Sequence, residues 1–297
     1  MTNTSKTIVF FGTDDFSAAA LRHLIEADYT IAAVVTQPDR KRGRGQQLQK
    51  PAVKVLAEAH HISIWQPASL LDIAKDLRAL QPVAGVLSSF GRIIPADILK
   101  LFEPGIINVH PSLLPAYRGP TPIESTILQG DSHAGVSIMQ LVEAMDAGPV
   151  YAQTSYPLDG TETQAELYDR LSVYGGALLV QHLPRILNHT LQPTPQDDTK
   201  ATYTKLLTKA DATPDPSQWT ADALARKVRA HNVFPKTKLT LLGQLVVVTA
   251  AHVGDDRADG LIVQCKDDTT LVIDTLIGPS GKTMSADDFI RGYGQTT

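Results

Sequence analysis

Asn108 and His110 occupy alternate positions at the end of the apolar stretch "GIINVH", immediately before the Pro-rich loop "PSLLPAYRG". Burial alone would favour Val or Leu at both places. An amide and an imidazole held side by side therefore need a reason. In an open α/β sheet the ligand crevice lies beyond the carboxyl ends of the strands, where the loops diverge and helix N-termini point inward. The pair stands where such chemistry is usual. The same two residues could instead cap the strand by hydrogen-bonding neighbouring backbone, and position alone leaves both readings open.

A third polar group, Asp146, lies in "EAMDAGPV", between two strand-like segments and beside Gly148 and Pro149. Asp-x-Gly is ordinary turn chemistry. Asp146 gains functional weight if it meets His110 in space, where a carboxylate would fix the imidazole tautomer. Two other patterns are negative. "FFGTDDF" is not G-x-G-x-x-G, and Asp14 and Asp15 at a helix N-terminus would repel phosphate. Gly12 and Thr13 read as a tight turn at the edge of the site. The nine histidines show no H-E-x-x-H or similar spacing, so no metal is expected, and His60–His61 reads as solvated surface beside a helix end.

The elements that must position these residues follow from periodicity. "TIVFFG", "TIAAVVTQ", "ISIWQ", "VAGVLSS" and "GIINVH" read as strands, with helical patterns at 16–25, 51–59, 70–80 and 95–101 between them. Strands apolar on both faces and separated by helices indicate βαβ units on a mostly parallel sheet, hence a Rossmann-like α/β domain. A helix at 122–128, strands "GVSIMQL" and "PVYAQTSYPL", and a long helix at 163–186 follow, with Thr163 and Glu166 spaced as a capping box. "HTLQPTPQDDTKATYTK" has linker composition. Beyond it, "ADALARKVRA" is a helix, and "TKLTLL", "QLVVVTAAHV", "GLIVQCK" and "TLVIDTLIG" are strands, which suggests a small C-terminal OB-like β-barrel. The expected domains are 1–188, a linker at 189–206, and 207–297.

The 297 residues are 43% hydrophobic, enough for a large and a small core. Twenty-seven Lys and Arg against 31 Asp and Glu leave a formal charge of -4, so a nucleic-acid partner would have to be met by local patches. The single cysteine, Cys265, excludes an internal disulfide framework and reads as core. There is no run of about 18 apolar residues and no secretory pattern at the start, so a soluble cytoplasmic protein with no membrane partner is expected.

Taken in order, "FFGTDDF", "VVTQPDRKRGRGQ", "PAVKVLA", "FGRIIP", "INVHPSLLPAYRGPTPIESTILQGDSHAGVSIMQL" and "EAMDAGPV" resemble the folate-dependent formyltransferases. "VRAHNVFPKTKL" and "MSADDFI" extend the likeness into the C-terminal part. The resemblance implies transfer of a formyl group from 10-formyltetrahydrofolate to the α-amine of methionine on initiator methionyl-tRNA, by a monomer. It implies that Asn108, His110 and Asp146 are catalytic, Asn108 and a protonated His110 serving a developing oxyanion. It places the folate-contacting loop on Ser112, Leu113, Leu114 and Pro115, while Phe90 and Ile93 supply apolar walls for the pterin.

Two windows free of Asp and Glu would meet tRNA phosphates: one with Arg40, Lys41, Arg42, Arg44, Lys50 and Lys54, the other with Arg226, Lys227, Arg229, Lys236 and Lys238. Arg40, Arg42 and Arg44 match the family's RNA-entering loop, and Arg229, Lys236 and Lys238 lie in its tRNA-holding domain. The sequence departs from the pattern at Arg92, where the family often has an apolar residue, and at Gln46 and Gln47, where it often has lysines. Two rival chemistries use the same residues, formyl transfer to a small amine such as a nucleotide-linked amino sugar and hydrolysis of the donor; catalytically silent RNA binding is a third reading, against which the intact Asn108, His110 and Asp146 stand. A C-terminal barrel with its basic window argues for tRNA.

Overall fold

The structure is a computed structural model that describes residues 7–42, 45–255 and 259–294. It forms two compact units. Met1–Gly119, Gly135–Tyr156 and Tyr168–Tyr203 make one, and Pro120–Ala134, Pro157–Leu167 and Thr204–Thr297 make the other.

The first unit is built from β1 (Thr7–Gly12), α1 (Asp15–Glu26), β2 (Thr30–Val35), β3 (Arg40–Arg42), β4 (Gln47–Gln49), α2 (Ala52–Ala59), β5 (Ile64–Trp65), α3 (Ala74–Ala79), β6 (Ala84–Ser88), α4 (Ala96–Leu99) and β7 (Ile106–His110). After α5 (Pro122–Gln129) come β8 (His133–Gln140), β9 (Val150–Pro157) and α6 (Gln164–Leu187). Seven strands form one sheet in the order β5-β2-β1-β6-β7-β8-β9. The pairs β5–β2, β2–β1, β1–β6 and β6–β7 are parallel, and β8 joins β7 antiparallel. Every residue of β6 and β7 is buried, as expected of strands covered on both faces. Strand order reverses between β1 and β6, so the crevice of this doubly wound sheet opens at Gly12–Asp14 and Ser88–Phe90, one strand from the end of β7.

Close approaches hold this end of the sheet. A Cβ on Gly12 would lie 2.6 Å from Ser17 Cβ, so only glycine fits the turn into α1. Asp14 caps α1 by accepting from Ser17 N at 3.1 Å, which accounts for an acid at that helix start. Gly175 of α6 faces Val109 of β7, where an added Cβ would come within 2.8 Å of Cγ1. The long helix thus lies tightly against the strand that carries the polar pair. Its N-terminus bears the expected capping pair, Glu166 N donating to Thr163 Oγ1 and Thr163 N to Glu166 Oε2.

One local expectation changes. The single helix at 70–80 is a 3-10 turn, Leu70–Ile73, followed by α3, because Ser69 and Asp72 cap the first turn reciprocally. After β2, β3 and β4 pair antiparallel, Arg40 opposite Gln49.

The second unit continues with α7 (Ala221–Ala230), β10 (Lys238–Leu241), β11 (Gln244–Gly254), β12 (Ile262–Gln264), β13 (Thr270–Ile277), β14 (Thr283–Ser285) and α8 (Ala286–Tyr293). The strands make an antiparallel sheet in which β13 pairs with β11, β12 and β14. Leu224, Val228, Leu271, Ile273 and Phe289 form its core, with Cys265 among them. Among the described residues no helix is long and apolar enough to cross a membrane, and no three His, Cys, Asp or Glu side chains gather as a metal site.

His231, at the end of α7, is 0% exposed and neither ring nitrogen has a hydrogen-bond partner among the described residues. Burial, reinforced by the Lys227 charge, holds its pKa at about 4 against an ordinary 6.5. The folded state therefore resists protonation while the unfolded chain accepts it. Stability is complete above pH 6.5 and falls as pH drops toward 4, by roughly 3 kcal/mol at about 1.4 kcal/mol per unit. His231→Phe should flatten this part of the stability curve in urea melts between pH 7 and pH 4. An unchanged slope would remove His231 as its source.

Candidate functional site

β7 ends the buried sheet with two polar residues, and its register explains their setting. Asn108 lies opposite Leu87 of β6 and Met139 of β8, and His110 opposite Ser137 of β8. Alternation puts both side chains on one face. Each is 5% exposed. The Asn108 amide makes no hydrogen bond to a described residue, so its donors are not used by the strand-capping alternative.

His110 Nε2 lies 3.0 Å from the Tyr117 carbonyl oxygen. A carbonyl only accepts, so this nitrogen carries hydrogen and the neutral ring keeps its lone pair on Nδ1. Nδ1 faces Asp146 Oδ2 at 3.8 Å, ion-pair reach but longer than a direct hydrogen bond. The carboxylate accepts from Gly119 N at 2.8 Å. Asp146 has φ 48°, and beyond it Gly148 packs so tightly that a Cβ would fall 1.8 Å from Gln140 O. A neutral Nδ1 can take a proton, and a protonated one becomes a donor beside a carboxylate.

The loop 112–115 is held from within. Ser112 Oγ donates to Ala116 O at 2.6 Å, and Ser137 Oγ donates to Ser112 O at 2.6 Å while accepting from Leu114 N. Leu114 is buried and precedes Pro115 through a cis peptide bond; Gln153 Nε2 donates to its carbonyl at 2.9 Å. Leu113 and Pro115 are half-buried. Phe90 packs edge-on against Phe11 at 5.8 Å in the core, with its carbonyl accepting from Thr13 Oγ1 and Gln37 Nε2. Ile93 is 86% exposed. Arg92 donates to Pro67 O and Ala68 O, tying its loop to the segment after β5.

Folding changes the two cationic windows. Arg40 is exposed and donates to Gln37 Oε1 at 3.0 Å; the Arg42 side chain and the whole of Arg44 lie outside the described residues. Lys50 pairs with Glu58 and Lys54 with Asp39, carboxylates just beyond the ends of the window. In the second unit, Arg226 bonds Leu128 O at the end of α5 and pairs with Asp222. Lys227 is buried over Trp219 at 4.8 Å. Arg229 is half-buried and burial lowers its pKa, whereas Lys236 is exposed and Lys238 half-buried.

Two participants escaped sequence reasoning. Arg118 stands inside the motif but carried no assigned role, and Gln196 lies in the stretch read as linker, where no pattern marks it. Gln196 donates to the carbonyls of Asp146 and Gly148.

A doubly wound sheet with this polar cluster at the end of β7 belongs to a defined group. Residues 5–183 match the family model described as formyl transferase, and 207–294 match that of the formyl transferase C-terminal domain. The chain belongs to the formyl transferase family. It is similar to the methionyl-tRNA formyltransferase of Chloroflexus aggregans, 41% identical with 84% of this chain and 82% of that one covered. That of Pseudomonas putida is 39% identical, with 96% and 95% covered. A solved N-formyltransferase from Helicobacter canadensis, in complex with folinic acid and dTDP-3-aminofucose, shares the fold with a TM-score of 0.68 at 16% identity, over 90% of this chain and 98% of that one.

Gly148→Ala should destabilise the protein by about 1–3 kcal/mol, because the added methyl must displace backbone rather than a flexible side chain. A urea melt within error of wild type would show that the loop moves freely.

Proposed function

We propose that this chain transfers the formyl group of 10-formyltetrahydrofolate to the amino group of methionine on initiator tRNA. The observation that carries it is the meeting of His110 Nδ1 and Asp146 Oδ2 at 3.8 Å beside Asn108, in a chain about 40% identical to methionyl-tRNA formyltransferases. The protein works in the cytoplasm as a monomer. Residues 1–188 carry the catalytic groups, 189–206 join them to the C-terminal part while packing on the first unit as far as Tyr203, and 207–297 hold tRNA.

As the amine adds to the formyl carbon, the carbonyl oxygen gains negative charge. Donors fixed in advance on that oxygen stabilise the transition state by about 3 to 4 kcal/mol each. Asn108 offers its amide and His110 offers Nδ1–H when protonated, since Nε2 is engaged by Tyr117 O. The attacking nitrogen must lose a proton, and a His donating to the oxyanion cannot accept it at that moment. A water held by Asp146 takes that proton and passes it to N10 of the folate, whose bond to the formyl carbon breaks as the tetrahedral state collapses to the formylated amine and tetrahydrofolate. The donor sits against the 112–115 loop and the segment from Phe90 to Ile93. The half-buried Leu113 and Pro115 remain available there, the Ser112 hydroxyl being turned inward.

For tRNA, Arg40, Arg42 and Arg44 are the contacts of the first unit, and Arg229, Lys236 and Lys238 those of the second. A small-amine substrate is the alternative that the fold keeps in view, because the Helicobacter canadensis enzyme spans both parts of this chain. A second domain therefore does not by itself select tRNA, and the sequence similarity to methionyl-tRNA formyltransferases is what favours it.

Labelled formyl donor offered with methionyl-tRNA, with an amino-sugar nucleotide and with water alone should label only the first. Label appearing in the sugar nucleotide or released as formate would reassign the acceptor. His110→Ala and Asp146→Ala should each lower kcat on the order of 100-fold or more while the protein stays folded. Near-normal turnover in either variant removes that residue from the chemistry. Arg44→Ala should raise KM for charged tRNA with folate binding retained; unchanged kinetics would reject the loop's role.

A further inference from the structure

A polar knot lies behind Asp146 that the chemistry above does not use. Gln196 donates both amide hydrogens, to Asp146 O at 2.8 Å and Gly148 O at 2.7 Å. Its Oε1 accepts from Arg118 twice, from Nε at 3.1 Å and Nη2 at 2.9 Å. All four hydrogen-bonding positions of the amide are filled. The partners also fix its orientation, since a flipped amide would set oxygen against two carbonyls and NH2 against a guanidinium. Arg118 is 2% exposed and further donates to Asp198 Oδ1 at 2.7 Å and Tyr203 OH at 3.0 Å.

Three consecutive residues divide the work. Tyr117 O accepts from His110 Nε2, the Arg118 side chain holds Gln196, and Gly119 N donates to Asp146 Oδ2. Tyr117 N and Arg118 N in turn donate to Thr202, at Oγ1 and O. Residues 196–203 therefore grip both the turn that orients the imidazole and the loop that carries the carboxylate. Asp146 holds φ 48°, strained for a residue with a Cβ, and its own carbonyl is the one Gln196 takes.

We propose that Gln196 is a positioning residue for formyl transfer, holding the Asp146 loop at its working distance from His110, with Arg118 orienting the amide. This rests on the roles given above to His110 and Asp146. Gln196→Met keeps the volume and removes the donors. It should lower kcat by on the order of 100-fold, the loss expected of a small misplacement, with both KM values near wild type. Arg118→Lys, which keeps the charge without the paired contact, should act in the same direction.

In an Asp146→Asn background, Gln196→Met should cost nothing further, because the group it positions is already gone. Additive losses in the double variant, or unchanged kcat in the single one, would overturn the proposal. The imidazole 15N signals of His110 supply a readout independent of turnover, and they should move in Gln196→Met. Unmoved signals would count against positioning. A wild type that transfers no formyl group in the same assay would instead sink the functional reading.

Discussion

The hydrogen bond between His110 Nε2 and the Tyr117 carbonyl decides what the rest of the site can do. It assigns the ring hydrogen to one nitrogen and turns the other toward Asp146. A buried imidazole free to rotate could present either face, and the amide of Asn108 would then have no fixed companion. The bond exists because the chain leaves β7, passes through the 112–115 loop and returns at 117 to the strand's own end. Ser137 stitches that loop to β8 with two hydrogen bonds and accepts a third from Gln153 of β9, so the loop is held by the sheet rather than by itself alone.

The carboxylate is positioned by separate means. Gly148 lets the loop after β8 press on Gln140, and Gln196 takes the carbonyls on either side of Ala147. The site is thus assembled from β7, the loop after β8 and a stretch beyond α6, with hydrogen bonds that are mutually satisfied. Such networks hold geometry well when complete and poorly when one member is missing.

Charge tells a different story from the motif. Each window empty of acids still has cations neutralised by folding, Lys54 on Asp39 and Arg226 on Asp222. Lys227 is not at the surface at all but stacked on Trp219. Cationic side chains serve packing and helix ends as readily as phosphate. What stays exposed among the described residues, Arg40, Lys41, Lys236 and the Glu58-paired Lys50, is a smaller set than the windows suggested.

By itself the sequence determined the mostly parallel sheet, since short, largely apolar strands separated by helical patterns call for crossover units buried on both faces. It also marked Asn108 and His110 as out of place at the end of an apolar strand, while Asp146 drew weight only from the family resemblance, and α7 was legible to the residue from its periodicity. Only the tertiary structure decided that Asp146 comes to 3.8 Å from His110, that Nδ1 is the nitrogen facing it, and that Gln196 lies behind both. Local patterns report how one segment buries its own face. The distance between groups 36 or 50 positions apart is set by how whole strands and loops pack, which no single segment encodes.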